Sequence, residues 1–175
     1  IVFGDWSSDV CSSDLHDMPA FIVDTQMDML KIMGKAETAA QLGEYIPQAQ
    51  ALLRRRMNDL RRGRVPLDKL VMGQKLSREL KAYKTPSPAA RALMQLQAAG
   101  KDKRPGQRVR FLYVRSKDGV WAWDLPEKPP KEAIDAEYYL VLLQRAAETV
   151  LSPFNAVPTH ASAFSFADEG TRMEQ

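Results

Sequence analysis

Ala49, Leu53, Met57 and Leu60 recur every three or four residues, which puts them on one face of a helix. That helical signal runs from Glu37 to Arg62, with a break expected at the turn-like region around Gly43 and Pro47, since Pro47 suits a first helical turn. Ahead of it, Phe21-Ile22-Val23 reads as the end of a strand. Asp24 or Thr25 then caps a helix through Met33, and Gly34 stops it. Beyond Gly63, Pro66 opens a further helix in which Leu67, Leu70, Val71, Leu76 and Leu80 are the apolar positions, with Lys75, Arg78 and Lys81 on other faces. Thr85-Pro86 ends it, because the residue before a proline is pushed out of helical geometry. Ser87-Pro88 starts the next helix as a cap followed by proline at the first helical position, with Ala89, Leu93, Leu96 and Ala99 or Gly100 on one side.

The period then changes. Val109, Phe111 and Tyr113 alternate with Arg108 and Arg110, the mark of a strand with one buried face. A basic turn, Lys101 to Gly106, precedes it, and its Pro-Gly pair favours type II geometry. Lys117-Asp118-Gly119 is a hairpin turn, and Val120 to Trp123 returns as the partner strand, its two tryptophans at the core or its edge. Pro126 to Pro130 is an extended loop. Asp135 caps a last helix with Glu137 in its first turn and Tyr139, Leu142, Ala146 and Val150 as its buried stripe, ended by Pro153. The predicted class is mostly α with a small antiparallel β hairpin (α+β), and Asn155 onward reads as a loosely ordered tail.

Composition narrows this only in places. The chain has 175 residues, enough for one domain with a real core plus tails, and it is 45% hydrophobic and 27% charged, the ordinary range for a globular protein. No apolar run approaches the roughly 20 residues of a membrane span, and nothing resembles a secretory signal. An intracellular setting is the expectation. The formal charge is only +3, but basic residues concentrate between Arg54 and Lys117, a distribution that favours a polyanionic partner. Asp5 to Leu15, DWSSDVCSSDL, resembles the in-frame translation of a short-read sequencing adapter. Residues 1–15 are therefore set aside from fold reasoning as an artefact. This removes Cys11, the single cysteine, and leaves the true start of the protein unknown.

The order of the remaining pieces resembles the C-terminal thumb region of family B DNA polymerases. The residues that carry the resemblance begin with Val65-Pro66-Leu67-Asp68-Lys69-Leu70-Val71, Leu76-Ser77-Arg78-Glu79-Leu80 and Tyr83-Lys84. Pro88, Ala89-Ala90, Ala98-Ala99-Gly100 and Arg104-Pro105-Gly106 follow, and then Asp135-Ala136-Glu137-Tyr138-Tyr139. The match covers about Met18 to Phe154. The family often carries an Arg-Arg-Asp-like strand end before the thumb; Ile22-Val23-Asp24-Thr25 resembles its counterpart but lacks the arginines.

The resemblance implies residues 16–34 as the end of the palm and connection to the thumb, 35–154 as the thumb, and 155–175 as a tail. It also implies a helical thumb that closes over a primer–template duplex and grips it through backbone and minor-groove contacts. By analogy Gln74, Arg78, Tyr83, Lys84, Ser87, Lys103, Arg104 and Arg108 are the expected DNA contacts, a role that positions the duplex without reading its sequence. Mg2+ and dNTPs are implied for the parent enzyme, together with palm, fingers and exonuclease domains upstream. No catalytic or metal-binding residue is assigned here. The family's Asp-Thr-Asp motif resembles Val23-Asp24-Thr25 only superficially, because its second carboxylate falls at Gln26 and Asp28 lies too far along. A two-metal site needs several oxygens converging on ions about 3.5–4 Å apart. The stretch is thus expected to be inactive alone.

Two rival readings are weighed against it: a free-standing basic helical nucleic-acid-binding or scaffold module, and a metal-dependent enzyme built on Asp24 and Asp28, which the spacing of the carboxylates argues against. The salt dependence of duplex binding separates the first from a thumb. Nucleotidyl transfer with magnesium, lost on Asp24→Ala, tests the second.

Overall fold

The computed structural model describes residues 17–76, 80 and 86–154. The proposed adapter segment, the tail from Asn155, and Arg78, Tyr83 and Lys84 lie outside them. Seven main elements follow in order: α1 (Ala20–Met33), α2 (Ala39–Arg61), β1 (Met72–Lys75), α3 (Pro88–Ala98), β2 (Arg108–Tyr113), β3 (Val120–Ala122) and α4 (Ala136–Leu151). The strands form one antiparallel sheet in the order β1-β2-β3. The fold is mostly helical with a small antiparallel sheet, as the sequence predicts, with one strand more.

Two apolar cores flank that sheet. Strand alternation sends Val109 and Phe111 to one side, where Val120 and Ala122 join Ala89, Ala92, Leu93 and Leu96 of α3. Leu112 and Val114 belong to the other core, packed with Leu53 and Leu60 of α2, Met29 of α1 and Tyr139 and Leu143 of α4. The sheet therefore separates α3 from the layer of α1, α2 and α4. Tyr113, Tyr138 and Tyr139 join the two layers: the Tyr113 and Tyr138 rings stack at 3.7 Å, and the Tyr113 amide donates to the Tyr139 hydroxyl at 3.0 Å. Burial pushes both the Tyr113 and Tyr139 phenols upward, so they stay neutral hydrogen-bonding groups.

Several caps match expectation. The Ser87 hydroxyl accepts from the Ala90 amide at 3.2 Å, with Pro88 opening α3, and the Asp135 carboxylate accepts from Tyr138 at 3.2 Å. Gly106 and Gly119 take the positive φ their turns need, 86° and 67°. Past α2, Gly63 at φ 61° donates to the Leu60 carbonyl while Arg64 donates to Asp59, closing the helix as a Schellman motif.

Three predicted elements differ. Phe21-Ile22-Val23 is not a strand end but the first turn of α1, which begins after Pro19; Phe21, Ile22, Thr25, Met29 and Met33 make its buried face at helical spacing. Neither Asp24 nor Thr25 caps it: Thr25 is buried and its hydroxyl donates back to the Phe21 carbonyl at 2.8 Å. Second, α2 runs unbroken through Gly43 and Pro47, capped by Thr38. Leu42 and Ile46 extend the stripe of Ala49 and Leu53 onto the core, and this packing carries the helix past a proline whose missing hydrogen bond falls on its exposed side. Third, the helix expected from Pro66 is a 3-10 turn at Leu67–Leu70 followed by β1. Val71 is already extended and Gly73 is a poor helix former, while β2 offers an edge on which Met72, Gly73, Gln74 and Lys75 pair with Phe111, Arg110, Val109 and Arg108. Two smaller differences remain: in α3 the stripe ends at Leu96, leaving Ala99 and Gly100 exposed, and in α4 Leu142 is only half-buried while Leu140, Leu143, Ala147 and Leu151 join Tyr139, Ala146 and Val150 in the buried face, because this helix faces both helices and sheet.

Candidate nucleic-acid interface

The positive charge is organised at one end of the sheet. Lys75 stands opposite Arg108 and Gly73 opposite Arg110, so the three cationic side chains leave from the face away from α3. Gly73 leaves room for this layout: a Cβ there would lie 3.0 Å from Cδ of Arg108, whose stem crosses the strand at that point and would have to shift. The Arg108 guanidinium ends 3.0 Å from the Asp17 carboxylate, an ion pair without hydrogen-bond alignment. The Lys101–Gly106 turn abuts β1 directly, since Gly106 donates to the Leu76 carbonyl and Leu76 to Gln107.

Asp124 ties this end together. Its carboxylate binds Arg110 and, at 3.1 Å, Lys103, while its main-chain carbonyl accepts Lys101 Nζ at 2.5 Å. Lys103 also reaches the Arg108 carbonyl at 3.1 Å. Burial alone pushes the Asp124 carboxyl upward, but the hydrogen bonds from Arg110 and Lys103 outweigh it and hold the group below its ordinary value of 3.8. A depressed folded-state value means the network's stabilisation is fully present above the unfolded value and is lost as pH falls through the folded one. The stability gap between the parent chain and Asp124→Asn is therefore expected to be constant from about pH 5 to 8 and to shrink below about pH 4. Urea midpoints across pH measure it; a gap that widens on acidification contradicts the network.

The structure places the expected contacts unevenly. Lys103, Arg104 and Arg108 gather at the basic end, with Arg104 exposed on the turn and the other two held by Asp124 and Asp17. Gln74 is on the same strand pair but opposite Val109, on the α3 side, half-buried. Ser87 is elsewhere: Arg91, one turn further along α3, donates to the Asp118 carbonyl in the hairpin turn, so Ser87 sits toward the opposite end of the sheet. Residues missed from sequence are Lys75, Lys101, Arg110, Asp124 and Asp17. Arg110 was legible, sharing the strand face with Arg108 two residues away; nothing in the sequence singles out Asp124.

Asp24 and Asp28 share a face of α1 but are each taken up by a cation. Asp24 pairs with Lys69 at 2.7 Å, and Asp28 with Arg56 at 2.9 Å. Among the described residues no three His, Cys, Asp or Glu side chains come together as a metal site. No described helix is long and apolar enough to cross a membrane.

Residues 15–154 match the family model "DNA polymerase family B". The chain belongs to that family. It is similar to the DNA polymerase of Thermococcus sp. (strain 9oN-7), 26% identical over 133 residues, covering 74% of this chain and 16% of that protein. It is also similar to DNA polymerase 1 of Saccharolobus solfataricus, 34% identical over 112 residues, 59% of this chain and 12% of that one. The structure resembles the family B DNA polymerase of Pyrobaculum calidifontis with a TM-score of 0.62 at 17% identity, covering 91% of this chain and 19% of that chain. The chain thus spans about a sixth of the length of the curated polymerase it matches over most of its own.

Proposed function

We propose that residues 35–154 are the thumb of a DNA-directed DNA polymerase, gripping primer–template duplex through its phosphate backbone during nucleotidyl transfer. The observation that carries the reading is the convergence of Lys75, Lys103, Arg104, Arg108 and Arg110 at one end of the sheet, all exposed or half-buried, with Lys103 and Arg110 held by Asp124 and Arg108 by Asp17. Cations arranged this way neutralise phosphates and carry no base-specific information. Residues 16–34 then connect to the palm, whose carboxylates in the parent enzyme would hold magnesium, and the magnesium would take the dNTP phosphates. Asp24 and Asp28, paired with Lys69 and Arg56, are given no part in the chemistry.

The test is a titration of the 175-residue chain with a short DNA duplex at several salt concentrations. Three or four phosphate contacts give a plot of log affinity against log salt with a slope of about −3 to −4. Absent or salt-independent binding rejects the grip and favours a scaffold role for the basic face.

A further inference from the structure

At the other end of β2 a second basic feature has a different construction. A cleft of about 290 Å³ opens between the C-terminus of α2, Arg115 just beyond β2 and the 3-10 turn at Lys131–Ala133. Arg61 and Arg62 come from the last turn and cap of α2, Arg115 from just past β2, and Lys131 from the turn. Their origin in three separate segments sets them apart from ordinary helix-end cations, which complement only their own helix dipole. No described residue supplies a counter-ion to any of the four, and Glu132 is the one carboxylate on the rim. The floor is apolar, built from Leu60, Val65, Leu70 and Ile134. Arg108 and Arg115 are seven residues apart, roughly 23 Å at about 3.3 Å per residue, so the cleft is not a continuation of the basic turn.

We infer that this cleft docks a partner polypeptide that inserts an apolar side chain flanked by acidic residues. Charge complementarity demands an anionic ligand, and the apolar floor demands that part of it be hydrophobic. Duplex DNA meets only the first demand, because its bases are stacked inside and its outer surface presents phosphate. The volume is at the small end for ligand pockets and suits one or two inserted side chains better than a drug-sized molecule. An apolar anchor in a desolvated pocket with charges on the rim is the general layout of a small protein interface.

The inference stands apart from the duplex grip, and the two fail separately. The full 175-residue chain is titrated with a fluorescein-labelled peptide, Asp-Asp-Glu-Phe-Leu-Asp-Glu, and with the same peptide carrying Ser-Ser in place of Phe-Leu. Saturable binding of the first is expected, at least tenfold weaker for the second. It is also expected to be at least tenfold weaker in the Arg115→Glu/Lys131→Glu variant, whose affinity for a short DNA duplex stays within twofold of the parent. Arg61→Gln, a milder change at an exposed position, is expected to weaken the peptide severalfold. No peptide binding, equal binding of the Ser-Ser peptide, or binding untouched by these substitutions overturns the inference. Loss of duplex binding in the double variant gives the cleft to nucleic acid and overturns it as well.

Discussion

Tyr139→Ala is expected to remove about 3–5 kcal/mol of stability, the range for deleting a buried aromatic ring. The ring is fully buried and sits edge-on to Tyr113 and Tyr138, with centroids 6.4 and 6.0 Å away. Its hydroxyl accepts the Tyr113 amide, so truncation opens a cavity and orphans a backbone donor together. Single domains are stable by only about 5–15 kcal/mol, so such a loss leaves the variant marginal or unfolded at 37 °C. Tyr139→Phe keeps the volume and removes only the acceptor, for which about 1–3 kcal/mol is expected. Urea unfolding followed by circular dichroism gives both values. If Tyr139→Ala costs under about 1 kcal/mol, the two layers do not meet through this residue.

The second large effect concerns binding. In Lys75→Glu/Arg104→Glu, both positions are exposed, and no ion pair to a described residue is broken. Stability should stay within about 0.5 kcal/mol of the parent, as for most surface changes. Duplex affinity at low salt should fall by about tenfold per reversal, each equivalent to about 1.4 kcal/mol, and the salt slope should flatten by about 0.9 per lost contact. Arg55→Glu makes the charge change of one of these reversals on the exposed side of α2 and is the control, expected to shift affinity less than twofold. If the control weakens binding as much as Lys75→Glu or Arg104→Glu alone, net charge rather than the sheet end governs it.

Legibility in the sequence followed how local the determining physics was. The α3 start at Ser87-Pro88, the Arg104-Pro105-Gly106 turn, the 117–119 hairpin turn and the Asp135 cap are set by residues within one turn of themselves, and each is found where its residues predict. β1 is a non-local element: Met72 to Lys75 become a strand because β2 lies beside them, some 35 residues later in the chain. The continuity of α2 past Pro47 depends likewise on Leu42 and Ile46 finding the core, which no local rule encodes. At the basic end, Lys103, Arg104 and Arg108 were visible as charges, yet the sequence shows neither their grouping apart from Ser87 nor the carboxylate holding two of them. The resemblance in short motifs supplied the family, which spacing and composition alone do not.

The shared carboxylate of Asp124 has a consequence for reading substitutions one at a time. Lys103 on the turn and Arg110 on β2 are neighbours through a group belonging to neither segment. Removing one leaves the other with an undivided partner; removing both leaves a half-buried carboxylate without either of its ion-pair partners, with only Lys101 nearby on the Asp124 main-chain carbonyl. Effects at these two positions will therefore not add, and a double-mutant cycle will assign part of each apparent contribution to the pair. Turn and strand are coupled through that one group, so a change that looks neutral at one of them alters what the other can tolerate.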